Sequence, residues 1–312
     1  MKVIIQIPCF NEEESLPIAL AKLPKTLPGV DVVEWLIIDD GSKDRTREVA
    51  RALGVHHVVG FANNQGLARG FMLGIRSCLE RGADIIVNTD ADDQYNADDI
   101  PALIAPILSG EADFVVGERP VQTIEHFSPI KKLLQKLGSN VVATISGTRI
   151  KDAPSGFRAF SRTAASRLNV FSTYTYTLET IIQAGQKNMS ITSVPIRVNR
   201  DLRPSRLVRS IPSYVMRSIA TMLRIMIVYR PFRFFFTVAA LLFGVGFAFG
   251  LRFMYFYASG DGGGHIQSVV LATTLMIIGF QTALLAFLAD LQSVNRRLLE
   301  ELLEKQRARP PE

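Results

Sequence analysis

Over residues 1 to about 120, short apolar runs alternate with amphipathic stretches. The runs are KVIIQIP, VEWLIIDDGS, HHVVGF, ADIIVNTDADD and ADFVVGERP. Between them lie NEEESLPIALAKLPK, KDRTREVARALG, QGLARGFMLGIRSCLERG and NADDIPALIAPILSG. A continuous apolar run is what a strand buried on both faces requires. A helix between two such runs returns the chain to start the next strand in the same direction. The alternation predicts an α/β fold with a mainly parallel sheet covered by helices. Ligands of such sheets bind at the carboxyl ends of the strands. Polar clusters fall at those ends, over residues 8–14, 39–44, 88–94 and 118–119.

The rest of the chain reads differently. A composition of 48% hydrophobic and 21% charged residues is ordinary for a globular protein, yet mean hydropathy is +0.20. The apolar residues are therefore concentrated, and they lie in the C-terminal third. FFFTVAALLFGVGFAFGLRFMYFY, from Phe234, and IQSVVLATTLMIIGFQTALLAFL, from Ile266 to Leu288, each approach the ~20 residues that cross a bilayer. The short ASGDGGGH between them predicts a transmembrane helical hairpin over 234–290. Arg252 is discordant there, and with Tyr255 and Tyr257 it is expected at the far interface. Arg230 and Arg233 precede the first span; Arg296, Arg297, Lys305, Arg307 and Arg309 follow the second. That bias predicts an integral membrane protein with both termini and the N-terminal domain, residues 1–203, in the cytosol. A bacterial or archaeal plasma membrane is the expected location.

Residues 129–147 and 204–233 are basic and amphipathic. The second stretch fits a core helix with a solvated basic face, or a helix lying on an anionic membrane surface. The span that follows favours the second. Residues 291–312 read as a charged cytosolic helix, either a solvated end or a contact between subunits. A homo-oligomer through this helix or the hairpin is therefore open. A net charge of +6 suits nucleic acid, anionic lipid or phosphorylated substrates; the adjacent spans make lipid the simpler partner and argue against nucleic acid. Cys9 and Cys78 are too few for a disulfide framework and no Cys/His cluster suggests zinc. A reducing compartment is expected, and the N-terminus lacks a signal-peptide pattern.

NTDADDQY, residues 88–95, crowds three carboxylates behind an apolar strand. Asn96 with Asp98 and Asp99 explains part of the acidity as the capped first turn of a helix. Asp90 and Asp92 are left over. One residue apart on an extended chain, they project to the same side and suit a hard divalent cation, with Gln94 adding a neutral oxygen. Few protein ligands leave room for water and a substrate phosphate, as Mg²⁺ or Mn²⁺ prefers. Asp93 has no assigned role. Asp44 reads as a turn residue, and Gly70 and Gly74 as permitting close helix–sheet packing.

IPCFNEEESL, IIDDGSKDRT, NTDADDQY and DFVVGERP, in that order, together with DAPSGFRAFSR and RPSRL, resemble the family 2 glycosyltransferases with their GT-A nucleotide-sugar-binding fold. Within them the chain is similar to the polyprenyl-phosphate glycosyltransferases, which also carry interface helices and a membrane hairpin. The resemblance implies that Pro8, Phe10 and Glu12 line the nucleobase pocket, and that Asp39 and Asp40 hold base or ribose. It implies that Asp90, Ala91 and Asp92, with Gln94, hold metal and diphosphate, and that Arg119 closes on donor phosphate or sugar. Ser155 and Gly156 would shape the sugar and acceptor site. Arg200, Arg203, Ser205 and Arg206 would contact phosphates near the membrane. Asp152 falls at the position of a catalytic base. Cys9 stands in the nucleotide-pocket segment, where a small or polar residue is expected. Leu67 and Arg69 depart from the family's helix-opening lysine.

The implied reaction moves one sugar from a UDP- or GDP-sugar to undecaprenyl or dolichyl phosphate, with inversion and with Mg²⁺ or Mn²⁺. A processive polysaccharide synthase would need a QxxRW motif, and the one tryptophan is Trp35. A non-catalytic membrane-tethered binding protein is disfavoured by the intact Asp90, Asp92 and Gln94. GxGxxG and GxxxxGK[ST], which a dehydrogenase or a P-loop kinase needs, are absent.

Overall fold

β-branched and aliphatic side chains set the centre of the molecule: Val3, Ile4, Ile5, Ile7, Leu36, Ile37 and Ile38 have no solvent exposure. The computed structural model describes residues 1–120, 138–139, 142–144, 146–148, 150–170, 176–199, 216, 219–220, 223–224, 226–260, 263 and 266–307. The helix expected over 129–147 and the basic stretch 204–233 lie largely outside these residues. Arg200, Arg203, Ser205 and Arg206 lie wholly outside them.

The chain forms two compact units, Met1–Ser218 with Glu304–Glu312, and Ile219–Leu303. The first holds β1 (Lys2–Cys9), α1 (Leu16–Lys22), β2 (Val32–Asp39), α2 (Thr46–Ala52), β3 (His57–Gly60), α3 (Leu67–Glu80), β4 (Ile85–Asn88), α4 (Ile100–Leu108), β5 (Phe114–Glu118), β6 (Arg158–Ser161), α5 (Arg162–Arg167), α6 (Thr177–Gln186) and β7 (Ile191–Pro195). These strands form one seven-stranded sheet in the order β3-β2-β1-β4-β6-β5-β7. All pairings are parallel except those of β6, which runs antiparallel to β4 and β5.

The antiparallel strand was not legible in the βα alternation, and it matters most for function. Because β6 runs against its neighbours, the loop before it reaches the edge where β1, β2, β4 and β5 end. Helix α3 lies close on β1 and β2 because Gly74 has no side chain. A Cβ there would collide with Gln6 Oε1 and come within 2.7 Å of Ile38 Cδ1. Gly70 meets Ile38 Cγ2 only at ordinary contact, 3.7 Å.

Helix α1 begins later than the sequence suggested. The Glu12 and Glu13 N–H groups donate to Thr46 Oγ1 and Asp44 Oδ2 at 2.9 and 3.1 Å, which commits this stretch to the neighbouring loop. Asp44 is the turn residue expected: its Oδ1 accepts the Thr46 N–H at 3.0 Å. Asn96 Oδ1 accepts the Asp98 N–H at 3.0 Å and opens a 3₁₀ turn, Ala97–Asp99, that runs into α4.

The second unit contains α7 (Pro231–Ala258) and, as far as Leu303, α8 (Ile266–Arg307). Both are long and apolar enough to span a bilayer, with mean hydropathy 2.2 and 2.0 over their best stretches. Phe232 meets Phe287 edge-on at 5.3 Å. Small residues bring the helix backbones together: a Cβ on Gly279 would lie 2.9 Å from Phe243 N, and one on Gly246 2.9 Å from Ala272 O. Arg252 places its guanidinium 5.7 Å from the Phe256 ring centroid. The 42 residues of α8 continue past Leu288 without a break, ~63 Å at 1.5 Å per residue. As far as Arg307, the charged tail is thus an extension of the second apolar helix.

Candidate active site

The polar clusters meet at the carboxyl edge of the sheet. Beyond β1, Asn11 takes a left-handed conformation, φ +55°. Its N–H donates to Ser42 Oγ at 2.9 Å, and its Oδ1 accepts the Lys43 N–H at 2.8 Å. These bonds tie the first loop to the second. Pro8 is the penultimate residue of β1, Phe10 is 36% exposed, and Glu12 is buried and accepts from the Ser15 hydroxyl. Cys9 belongs to the core: it is buried, and its thiol donates to Ile7 O at 3.5 Å. Burial first, then Glu12 and Asp39, pushes that thiol well above its ordinary value, so it stays un-ionised.

Asp39 and Asp40 are both buried and both engaged internally. Asp39 pairs with Arg47 Nε and accepts the Ser42 N–H at 3.1 Å. Asp40 accepts the N–H groups of Gln65 and Gly66 at 2.7 and 2.9 Å, which fixes the start of α3. The departure at Leu67 and Arg69 thus sits in a segment that the protein's own carboxylate holds.

The acidic cluster does not continue the strand. β4 stops at Asn88, and the chain turns at Ala91 and Asp92, with Asp93 left-handed at φ +58°. The i,i+2 rule for extended chain therefore does not describe Asp90 and Asp92; a turn gathers them. Gln94 N–H donates to Asp92 Oδ1 at 3.2 Å. Asp93 has a role that the sequence did not disclose. It is buried, pairs with Lys22 of α1, and its backbone carbonyl accepts from Asn199 Nδ2 at 2.9 Å. It anchors the turn to elements on two sides.

Asp90 is half-buried. Burial and then the charge of Asp92 push its carboxyl up to about 7, against the opposing pull of Arg119 and Arg158. Two carboxylates that resist sharing negative charge are a site that a cation relieves. Among the described residues no group of three or more His, Cys, Asp or Glu gathers as a metal cluster. The donors expected from the sequence are two carboxylates with the Gln94 amide. That hard-oxygen set fits a Mg²⁺ or Mn²⁺ ion that keeps water and phosphate ligands.

Beside Asp90 lies the loop before β6. A Cβ on Gly156 would stand 3.0 and 3.3 Å from the Asp90 carboxylate oxygens. Arg119, just past β5, is forked onto Asp152: Nε and Nη2 donate at 2.7 and 2.9 Å, and the Arg119 N–H adds a third bond at 3.1 Å. The two side chains are only 9% and 2% exposed. Burial works against the guanidinium charge, yet Tyr95, Asp152 and Asp90 hold Arg119 above the ordinary arginine value. Ser155 is fully buried, and its Oγ has no hydrogen-bond partner among the described residues.

Arg158 escaped the sequence reading. It is fully buried, and its guanidinium donates to the carbonyls of Ser155, Thr177 and Ala153 at 2.7, 2.8 and 2.7 Å. Its Cζ lies 5.6 Å from the ring centroids of both Phe114 and Tyr176. Burial pulls it down to about 10, while Tyr176, Tyr95 and Asp152 favour its charge. Its place between apolar Phe157 and Ala159-Phe160 was its only signal.

The family model described as Glycosyl transferase family 2 matches residues 4–168. An undecaprenyl-phosphate mannosyltransferase of Micrococcus luteus is 28% identical over 218 residues, covering 66% of this chain and 88% of the relative. A UDP-N-acetylglucosamine–dolichyl-phosphate N-acetylglucosaminyltransferase of Methanococcus voltae is 29% identical, covering 62% and 84%. In fold, the chain is similar to glucosyl-3-phosphoglycerate synthase of Mycobacterium tuberculosis, solved with Mn²⁺, uridine diphosphate and glucosyl-3-phosphoglycerate. The TM-score is 0.55 at 20% identity, over 71% of this chain and 79% of that one. With a GT-A-like mixed sheet and a match over more than half its length, the chain belongs to glycosyl transferase family 2 and is a glycosyltransferase.

Proposed function

We propose that the enzyme transfers a single sugar from a UDP- or GDP-sugar to a polyprenyl phosphate, undecaprenyl or dolichyl, with inversion at the cytosolic face of a membrane. The observation that carries this reading is the acid pair Asp90/Asp92 at the same sheet edge as the Arg119–Asp152 pair, in a chain with two spanning-length apolar helices. The acceptors named for the two relatives, undecaprenyl phosphate and dolichyl phosphate, support it. The domain plan follows: residues 1–203 catalytic, 204–233 juxtamembrane, 234–290 hairpin and 291–312 a cytosolic tail.

A phosphate oxygen of the acceptor attacks the anomeric carbon. The bond from that carbon to the nucleoside diphosphate breaks, and the diphosphate leaves with the electron pair. Asp90 and Asp92, with Gln94, are the residues that would hold Mg²⁺ or Mn²⁺, which when bound neutralises charge on the leaving diphosphate. Arg119 presents guanidinium hydrogens that Asp152 does not occupy, and these suit donor phosphate or sugar. Asp152 accepts from Arg119 on both oxygens, which suits it to aim Arg119 better than to take a proton. The acceptor needs little basic help, because a phosphomonoester with a second pKa of about 6 is largely ionised at neutral pH. Pro8, Phe10 and Glu12 line the base pocket. Asp39 and Asp40 shape it through the loops they hold at 42 and 65–66. Arg200, Arg203, Ser205 and Arg206 serve the phosphates near the membrane.

The test incubates purified full-length protein with Mn²⁺ or Mg²⁺, a panel of nucleotide sugars, and undecaprenyl or dolichyl phosphate. Butanol-extractable labelled sugar is expected with one donor. No lipid-linked product with any common donor refutes the reading.

A further inference from the structure

Gly156 is held on both sides by side chains that the chemistry above does not use. Its N–H donates to Tyr95 Oη at 2.8 Å. Its carbonyl accepts from Asn88 Nδ2 at 2.9 Å, with Tyr176 Oη also at 3.4 Å. Each of these partners is itself fixed. Tyr95 stacks on Phe157 at 5.2 Å and Tyr176 on Phe71 at 3.9 Å. Asn88 also donates to Tyr176 Oη at 2.8 Å and accepts from Gln6 Nε2 at 2.9 Å. One residue earlier, Arg158 Nε holds the Ser155 carbonyl. The peptide planes on both sides of Gly156 are therefore locked.

Gly156 does not take a left-handed conformation, so its backbone tolerates a side chain and only space refuses one. The space is taken by the Asp90 carboxylate, at 3.0 and 3.3 Å from a would-be Cβ, and by Tyr176 Oη at 3.2 Å. Asp90 itself lies past the end of β4, in a turn whose internal anchor is Asp93. A carboxylate on such a turn loses rotamer freedom when it ligates an ion. A rigid neighbour removes part of that loss beforehand.

We propose that Tyr95 is a positioning residue for the diphosphate–metal site: with Asn88 it clamps the Gly156 peptides, and Gly156 sets where the Asp90 carboxylate stands. The same clamp holds the buried Ser155 hydroxyl, unpartnered among the described residues, in place for a ligand oxygen. The proposal deepens the functional reading and rests on Asp90 as an ion ligand.

The test is a Mn²⁺ titration followed by electron paramagnetic resonance on the full-length protein, without nucleotide or lipid. Five proteins are compared: unsubstituted, Asp90→Asn, Tyr95→Phe, Gly156→Ala and the double substitution Tyr95→Phe/Gly156→Ala. Tyr95→Phe keeps the ring and its stack and deletes one oxygen. Its Mn²⁺ Kd is expected to rise about tenfold, in the range found when partners of metal ligands are removed. Gly156→Ala is expected to weaken binding at least as much, and the double substitution to cost less than the product of the two. Thermal unfolding is recorded in parallel. A lowered midpoint with unchanged Mn²⁺ Kd in Tyr95→Phe makes the clamp merely structural and overturns the proposal. If Gly156→Ala fails to fold, Tyr95→Phe decides alone. If Asp90→Asn binds Mn²⁺ as well as the unsubstituted protein, the ion-ligand reading fails, a result distinct from failure of the clamp.

Discussion

Replacing Asp152 by Asn separates two roles for that carboxylate. The side chain receives two bonds from the Arg119 guanidinium, at 2.7 and 2.9 Å, in a pair only 9% and 2% exposed. An Asn amide keeps one acceptor oxygen and turns an NH2 donor toward the other guanidinium N–H, so one bond to a charged group is lost outright, at about 2 kcal/mol. If all of that comes from the aim of Arg119 in the transition state, kcat/KM falls about 30-fold. Asp152→Ala does worse, because it leaves a buried guanidinium unpaired, at about 3–5 kcal/mol of stability. The assay is initial-rate transfer of labelled sugar to polyprenyl phosphate in detergent, for Asp152→Asn, Arg119→Gln and the double variant. Acting through Arg119, Asp152→Asn adds little once Arg119 is gone, and the double variant matches Arg119→Gln alone. An independent base instead contributes its own factor of about 10²–10⁴. Multiplying losses in the double variant would refute the positioning argument.

Mn²⁺ affinity is expected to rise about tenfold per pH unit up to about pH 7 and then level off, because the ion must displace the proton that burial and Asp92 keep on Asp90; titrations from pH 5.5 to 8.5 check this. For the ion-free protein, a carboxyl raised from 3.8 to about 7 stabilises fully below about pH 4, and that contribution is lost as pH rises to 7. Gly74→Ala drives a methyl into Gln6 Oε1 and Ile38 Cδ1, an overpacking expected to cost about 1–3 kcal/mol in chemical denaturation. Asp93→Ala removes the Lys22 pairing, and a left-handed φ suits Ala poorly. It should weaken Mn²⁺ binding as well as stability, while Asp93→Asn, which tolerates that φ, should recover part of both.

The strands β1, β2, β4 and β5 were legible because each is a largely buried apolar run, and the partly exposed edge strand β3 because HVVG is a short β-branched run between polar stretches. β6 was not, since RAFS places a buried arginine where the period calls for an apolar residue. Nothing local announces that Arg158 will find three carbonyls and two aromatic faces. The same limit explains Asp39 and Asp40. Two acids at a strand end read as ligand groups, and only the fold shows Arg47 and the N–H groups of Gln65 and Gly66 arriving from elsewhere.

NTDADDQY shows how a residue choice can rest on the wrong local geometry. Strand alternation picked out Asp90 and Asp92 and left Asp93 idle, yet the strand has ended and a left-handed Asp93 makes the turn. The residue without a role thus fixes its neighbours' positions, through Lys22 and Asn199. Asp90 in turn is bounded by Gly156, sixty-six positions later in the chain, which reaches it only because β6 runs antiparallel. Sequence reports which groups carry charge. How far apart those charges stand is set by long-range hydrogen bonds among neutral side chains, and for Asp90 those side chains are Asn88, Tyr95 and Tyr176 acting on a single glycine.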